Sequence, residues 1–111
     1  MFRQLRHFFL IVGWLVLAAN VARAAEPDIV AGRALATDKC SRCHAVEATG
    51  KSPFPTAPPF RTFATLWPLE TLEEALAEGI MVGHPAMPDF APLSPRQIDN
   101  FIGYLREIQR R

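Results

Sequence analysis

Five consecutive residues, Cys40-Ser41-Arg42-Cys43-His44, constrain this chain more than any other stretch. On one helical turn, two thiols three positions apart sit on adjacent edges, and the next residue carries an imidazole. C-x-x-C-H is the attachment signature of c-type haem. Its two sulfurs reach both vinyl groups of one porphyrin, and its histidine meets the iron from the proximal side. Three other chemistries use similar residues. A thioredoxin-type redox pair wants a βαβ setting, and no such pattern is visible. A zinc site built from Cys40, Cys43, His44 and the distant His84 would lack a familiar finger spacing. A Cys40–Cys43 disulfide would close only a very small loop.

The context of the motif favours haem. The chain has 111 residues, half of them hydrophobic, which suits one small domain. Much of the apolar content lies at the start. Arg3 and Arg6 precede an apolar run from Phe8 to Val21, and Ala22-Arg23-Ala24 forms an A-x-A site. This pattern predicts a secretory signal peptide over residues 1–24, cut after Ala24, and a functional domain over 25–111. His7 falls in the leader. The competing reading is an uncleaved anchor, but the run is short for a span of about 20 residues. Export to a bacterial periplasm agrees with the cysteine usage: both cysteines are in the motif, so none remains for a disulfide framework.

Without the leader, nine basic residues remain against eleven acidic ones, a net charge of −2 with neutral histidines. That balance argues against a nucleic-acid binder or a polybasic membrane binder. The charges are unevenly spread. Arg33, Lys39, Arg42, Lys51 and Arg61 surround the motif, while Glu70, Glu73, Glu74, Glu78 and Asp89 follow with no Lys or Arg among them. Two solvated faces explain this; so does a dipole that orients the haem edge toward a partner. A domain this small has a marginal core, and a covalently held porphyrin would act as its staple.

The helices are legible from caps and period. Asp28 can cap a helix to about Lys39, with Gly32 inside it where another backbone or a ring would approach closely. From Glu47 to Pro59 the chain is rich in Gly, Ser, Thr and Pro, which predicts an extended, turn-rich loop wrapping the proximal side of the haem. A helix is expected near Arg61–Leu66, ended by Trp67-Pro68. Thr71-Leu-Glu-Glu74 reads as a capping box opening a short helix, and Gly79 as its terminator. A loop bearing Met81, His84 and Met87 follows. Ser94-Pro95-Arg96-Gln97 then opens a final helix with Ile98, Phe101, Ile102, Leu105 and Ile108 on its apolar face. No stretch alternates with period two, so the expected fold is all-α with a single domain.

In this order the parts resemble the class I (mitochondrial-type) c-type cytochromes, in particular the small bacterial monohaem members. The resemblance covers about residues 27–109 and rests on Cys40-Ser-Arg-Cys-His44, Ala57-Pro58-Pro59-Phe60, His84-Pro-Ala-Met-Pro88 and Phe101-Ile-Gly-Tyr-Leu105. Leu35 stands where many relatives place an aromatic residue. The resemblance implies N- and C-terminal helices that cross, with Tyr104 packing on Gly32. Short middle helices and loops would wrap one covalently attached haem c. Cys40 and Cys43 would be the thioether anchors and His44 the proximal ligand, held through its other ring N–H by the Pro58 carbonyl. Met87 would be the distal ligand, a soft donor that raises the reduction potential. Met81 and His84 are competing ligands, and Trp67, Tyr104 or Arg61 are candidates to reach a propionate.

These roles imply a periplasmic one-electron carrier, not an enzyme, because two filled axial positions leave no place for substrate. Its partners would be redox proteins: a donor dehydrogenase and an acceptor oxidase or reductase. The chain would be a monomer or a subunit, touching a membrane only if the leader stays. Two alternatives remain: a dedicated electron-transfer subunit of a larger periplasmic dehydrogenase or oxidase, and a haem peroxidase with an open distal site.

Overall fold

The structure is a computed structural model that describes residues 26–80 and 86–110. The leader, Met81 and His84 therefore lie outside the described residues. Among the described residues four helices follow in chain order: α1 (Ile29–Cys40), α2 (Phe63–Leu66), α3 (Leu69–Glu78) and α4 (Pro95–Gln109), with a 3-10 turn at Phe60–Thr62 leading into α2. Among the described residues there is no strand, only an isolated antiparallel bridge between Ile80 and Phe90. None of the described helices is long and apolar enough to cross a membrane. The expected all-α class is the observed one.

Helix α1 starts where Asp28 accepts a hydrogen bond from the Ala31 N–H, as its cap position requires. Its crossing with α4 is the main packing event of the domain. At the crossing the two backbones nearly touch: a Cβ on Gly32 would lie 2.0 Å from the Asn100 carbonyl oxygen and 2.9 Å from Tyr104 Cβ. Only a residue without a side chain permits that approach. The Asn100 side chain also accepts from the Asp28 N–H at 2.8 Å, tying the start of α1 to the middle of α4.

Helix α4 has the capping box its sequence announces. Ser94 accepts from the Gln97 N–H, the Gln97 side chain accepts from the Ser94 N–H, and Pro95 occupies the first turn. Ile98, Phe101, Ile102, Leu105 and Ile108 are all buried, with Tyr104 beside them. They meet Ala36, Val46, Phe60, Phe63, Leu69 and Leu76 in one core.

Thr71 does not open α3. The helix begins two residues earlier at Leu69, capped by Pro68 without a side-chain hydrogen bond. Proline's fixed φ already favours helix entry, and starting at Leu69 lets that side chain join the core. Thr71 lies inside the first turn, its N–H donating to the Pro68 carbonyl. Gly79 ends α3 as expected, at φ +97, where a side chain would also meet the Phe90 carbonyl. Across the α3–α4 junction, Arg106 pairs with Glu70 and Glu73 at 3.6 and 3.2 Å. These exposed pairs contribute little to stability.

Candidate functional site

The five-residue motif straddles the end of α1. Cys40 is its last residue, and the Cys40 carbonyl accepts from both the Cys43 N–H (3.2 Å) and the His44 N–H (2.9 Å). Both sulfurs and the imidazole thus spring from one tightened turn. The thiols are free and half-buried. Burial pushes the Cys40 thiol up to about 11, above its ordinary 9.0, with Lys39 opposing the shift and Asp38 adding to it. It is held as a neutral S–H. Among the described residues no three His, Cys, Asp or Glu side chains converge to hold a metal ion, so Cys40, Cys43 and His44 are not arranged as zinc ligands.

The proline-rich loop folds back over this turn. Phe54 N–H donates to the Cys43 carbonyl at 3.1 Å, and Phe60 N–H to the Ala45 carbonyl at 2.9 Å. Ala45 N–H donates to Ser52 Oγ at 3.0 Å. Between these ties, His44 Nδ1 lies 2.8 Å from the Pro58 carbonyl oxygen. A carbonyl can only accept, so Nδ1 carries the proton and Nε2 keeps its lone pair for a metal. Phe60 and Phe63 flank the imidazole at ring-centroid distances of 5.1 and 6.0 Å.

A second tie holds the aromatic segment from the far side. The Gln109 side chain accepts from the Ala64 N–H at 3.1 Å and donates to the Phe60 carbonyl at 2.7 Å. The last turn of α4 thereby fixes the 3-10 turn and α2 beneath His44. The sequence reading missed Gln109, because a polar residue near the end of a helix carries no local sign of partners 45 and 49 positions away.

The propionate candidates have other partners. The Tyr104 hydroxyl donates to the Val46 carbonyl at 2.6 Å and lies 3.2 Å from Glu47, whose carboxylate meets the Arg33 guanidinium at 2.8 Å. Burial first, and then the Glu47 charge, raise the Tyr104 pKa. Arg61 donates to the Gly50 carbonyl. Trp67 is half exposed.

Met87 is half-buried in the segment that follows α3. That segment is closed at its base, where Ile80 and Phe90 exchange two backbone hydrogen bonds of 3.1 and 3.0 Å. The site thus brings Cys40, Cys43, His44 and Pro58 onto one turn and its covering loop, with Met87 on a separate, pinned segment.

This donor set fits a covalently held haem. Two thiols on one turn can each add across a vinyl group. An oriented imidazole offers a nitrogen lone pair, and the apolar side chains of Phe60 and Phe63 line its approach. A comparison with known families agrees. Residues 27–105 match the family model described as cytochrome c oxidase, cbb3-type, subunit III. No curated protein and no solved structure matches the chain. The chain belongs to the family that this model describes, and it is a small c-type cytochrome carrying covalently bound haem c.

Proposed function

We propose, within the haem-based electron transfer that the family implies, that this chain is an exported, periplasmic monohaem carrier whose iron is held by His44 and Met87. The observation that carries the His44 assignment is the 2.8 Å contact between its Nδ1 and the Pro58 carbonyl, which leaves Nε2 as the ring nitrogen able to ligate. Bound haem c supplies a single electron's worth of redox chemistry at its iron. The chain does the rest: Cys40 and Cys43 anchor, and the Pro58 carbonyl holds the imidazole in one orientation and raises its basicity. Phe60 and Phe63 keep water from it. Met87, as a thioether donor, favours the reduced state.

The test is the absorption spectrum of the oxidised holoprotein, produced in a host that attaches c-type haem. The weak long-wavelength band of methionine sulfur on ferric haem should be present. It should vanish in Met87→Ala and persist in Met81→Ala. Its absence from the wild type would give the distal position to His84 or to no residue. Amino-terminal sequencing of the exported protein should begin at Ala25; an intact leader would replace the periplasmic carrier with an anchored one.

One observation favours a second reading. The matched family is described as an oxidase subunit, which supports a permanent partner in place of free shuttling. Co-elution of the native protein with a larger complex on gel filtration would select the subunit; a monomeric peak would select the shuttle.

A further inference from the structure

We propose that Trp67 is the surface end of an aromatic path to His44, and that Leu66, Trp67 and the carboxylates of Glu70, Glu74 and Glu78 form a docking face for a redox protein with a basic surface. The proposal rests on the reading of His44 as an iron ligand and adds a point of electron entry through the chain's own side chains.

The path is continuous in ring contacts. Phe63 stands edge-on to the His44 imidazole at 6.0 Å and edge-on to Trp67 at 5.6 Å, with interplanar angles of 87° and 86°. Phe60 touches both His44 (5.1 Å) and Phe63 (4.6 Å), giving a parallel branch. Phe63 is buried and Trp67 is 50% exposed, so the series runs from the protein interior to solvent. Edge-to-face rings at these separations are in van der Waals contact. Electron tunnelling decays steeply with distance and more steeply across empty gaps, so contiguous π systems favour this direction. Gln109 fixes the segment that carries both phenylalanines.

The surface at the end of the path has the makeup of a contact site. Leu66 and Trp67 are adjacent, and each is 50% exposed. An exposed tryptophan beside a second large apolar side chain is a common anchor for a partner. Helix α3 begins two residues on. Its Glu70, Glu74 and Glu78 follow at i, i+4 and i+8, share one face and are all exposed. Arg106 offsets Glu70 in part, while among the described residues Glu74 and Glu78 have no ion-pair partner. Between Arg61 and Arg96 the sequence contains no lysine or arginine. An apolar anchor followed along the chain by a helix face of carboxylates complements a partner that carries lysine or arginine. Redox encounters use small, brief interfaces. In the transfer, a reduced one-electron centre on the partner is oxidised by one electron and ferric iron at His44 becomes ferrous. No bond or proton moves, and Trp67 is neither oxidised nor reduced.

Two measurements on the full holoprotein test this. Hexaamminechromium(III), a paramagnetic trication standing in for a basic surface, should broaden the Trp67 indole N–H resonance at low salt before other resonances. Laser-flash reduction by tris(bipyridine)ruthenium(II) should slow about tenfold at low ionic strength in the variant carrying Glu70→Gln, Glu74→Gln and Glu78→Gln. It should slow several-fold in Trp67→Leu and recover in Trp67→Phe, with the absorption spectrum and midpoint potential of every variant unchanged. A sharp indole resonance under the trication, or an unchanged flash rate in Trp67→Leu, overturns the docking face and the path. A wild-type spectrum without histidine-ligated haem overturns the carrier reading itself, and is recognised before any variant is made.

Discussion

Replacing Gly32 by alanine sets two effects of opposite sign against each other. In an exposed helix interior the change should stabilise by up to about 1 kcal/mol, because alanine loses less backbone entropy on folding. Here the added Cβ would lie 2.0 Å from the Asn100 oxygen and 2.6 Å from its carbonyl carbon, both backbone atoms that no rotamer change can move. A carbon–oxygen contact needs at least about 3.3 Å, so α1 and α4 would have to part by roughly 1.3 Å at their crossing. Overpacking of this kind typically costs about 1–3 kcal/mol, and a clash with backbone belongs at the upper end. The net expectation is a loss of about 2 kcal/mol, which for a domain of this size lowers Tm by roughly 8–16 °C. Thermal unfolding of the holoprotein followed by far-ultraviolet circular dichroism measures it. Ala34→Gly on the exposed side of the same helix is the control, expected to cost about 1 kcal/mol. A Gly32→Ala protein as stable as wild type, or more so, would refute the close crossing.

Four further outcomes follow from contacts already described. Tyr104→Phe removes the hydroxyl that satisfies the Val46 carbonyl and should cost about 1–3 kcal/mol in denaturant unfolding. The raised Tyr104 pKa means its contribution is complete below the ordinary value of 10.0 and declines as pH climbs from there through the folded value. Wild type should therefore lose more stability than Tyr104→Phe on titration above pH 10.0. Gln109→Leu leaves the Phe60 carbonyl and the Ala64 N–H without their partner; a loss of about 1–3 kcal/mol is expected, together with faster amide exchange at Ala64. Ser94→Ala breaks the capping box of α4 and should cost about 1 kcal/mol by chemical denaturation.

Which parts of this molecule could be seen in the sequence depends on how local their causes are. The Asp28 cap and the Ser94–Gln97 box are satisfied within three residues, so residue type and spacing were enough. The Pro58 partner of His44 and the Tyr104–Gly32 packing are distant contacts, and they came from resemblance to a family. Thr71 shows the limit of local signals. Its T-x-x-E pattern is sound in isolation, but burial of Leu69 and the fixed φ of Pro68 moved the helix start. Gln109 and the Arg33–Glu47–Tyr104 cluster depend on where the loops settle, which no periodicity records. The ring series from His44 to Trp67 is a different case. Phe60, Phe63 and Trp67 recur at helical spacing, a pattern the sequence shows openly but which has meaning only once His44 is placed beside it.

The bridge between Ile80 and Phe90 bears on how often a methionine at position 87 would meet its iron. Without it, Met87 would ride on the 16 residues 77–92, closed by the Leu93 N–H donating to the Leu76 carbonyl at 2.9 Å. With it, Met87 rides on the nine residues 81–89, whose ends are already joined. The difference in loop-closure entropy is about 0.5 kcal/mol, or roughly a twofold higher effective concentration of the thioether at the metal. A bond between sulfur and iron that breaks on a change of oxidation state would then re-form by a small local excursion, while the helices and the proximal side stay as they are.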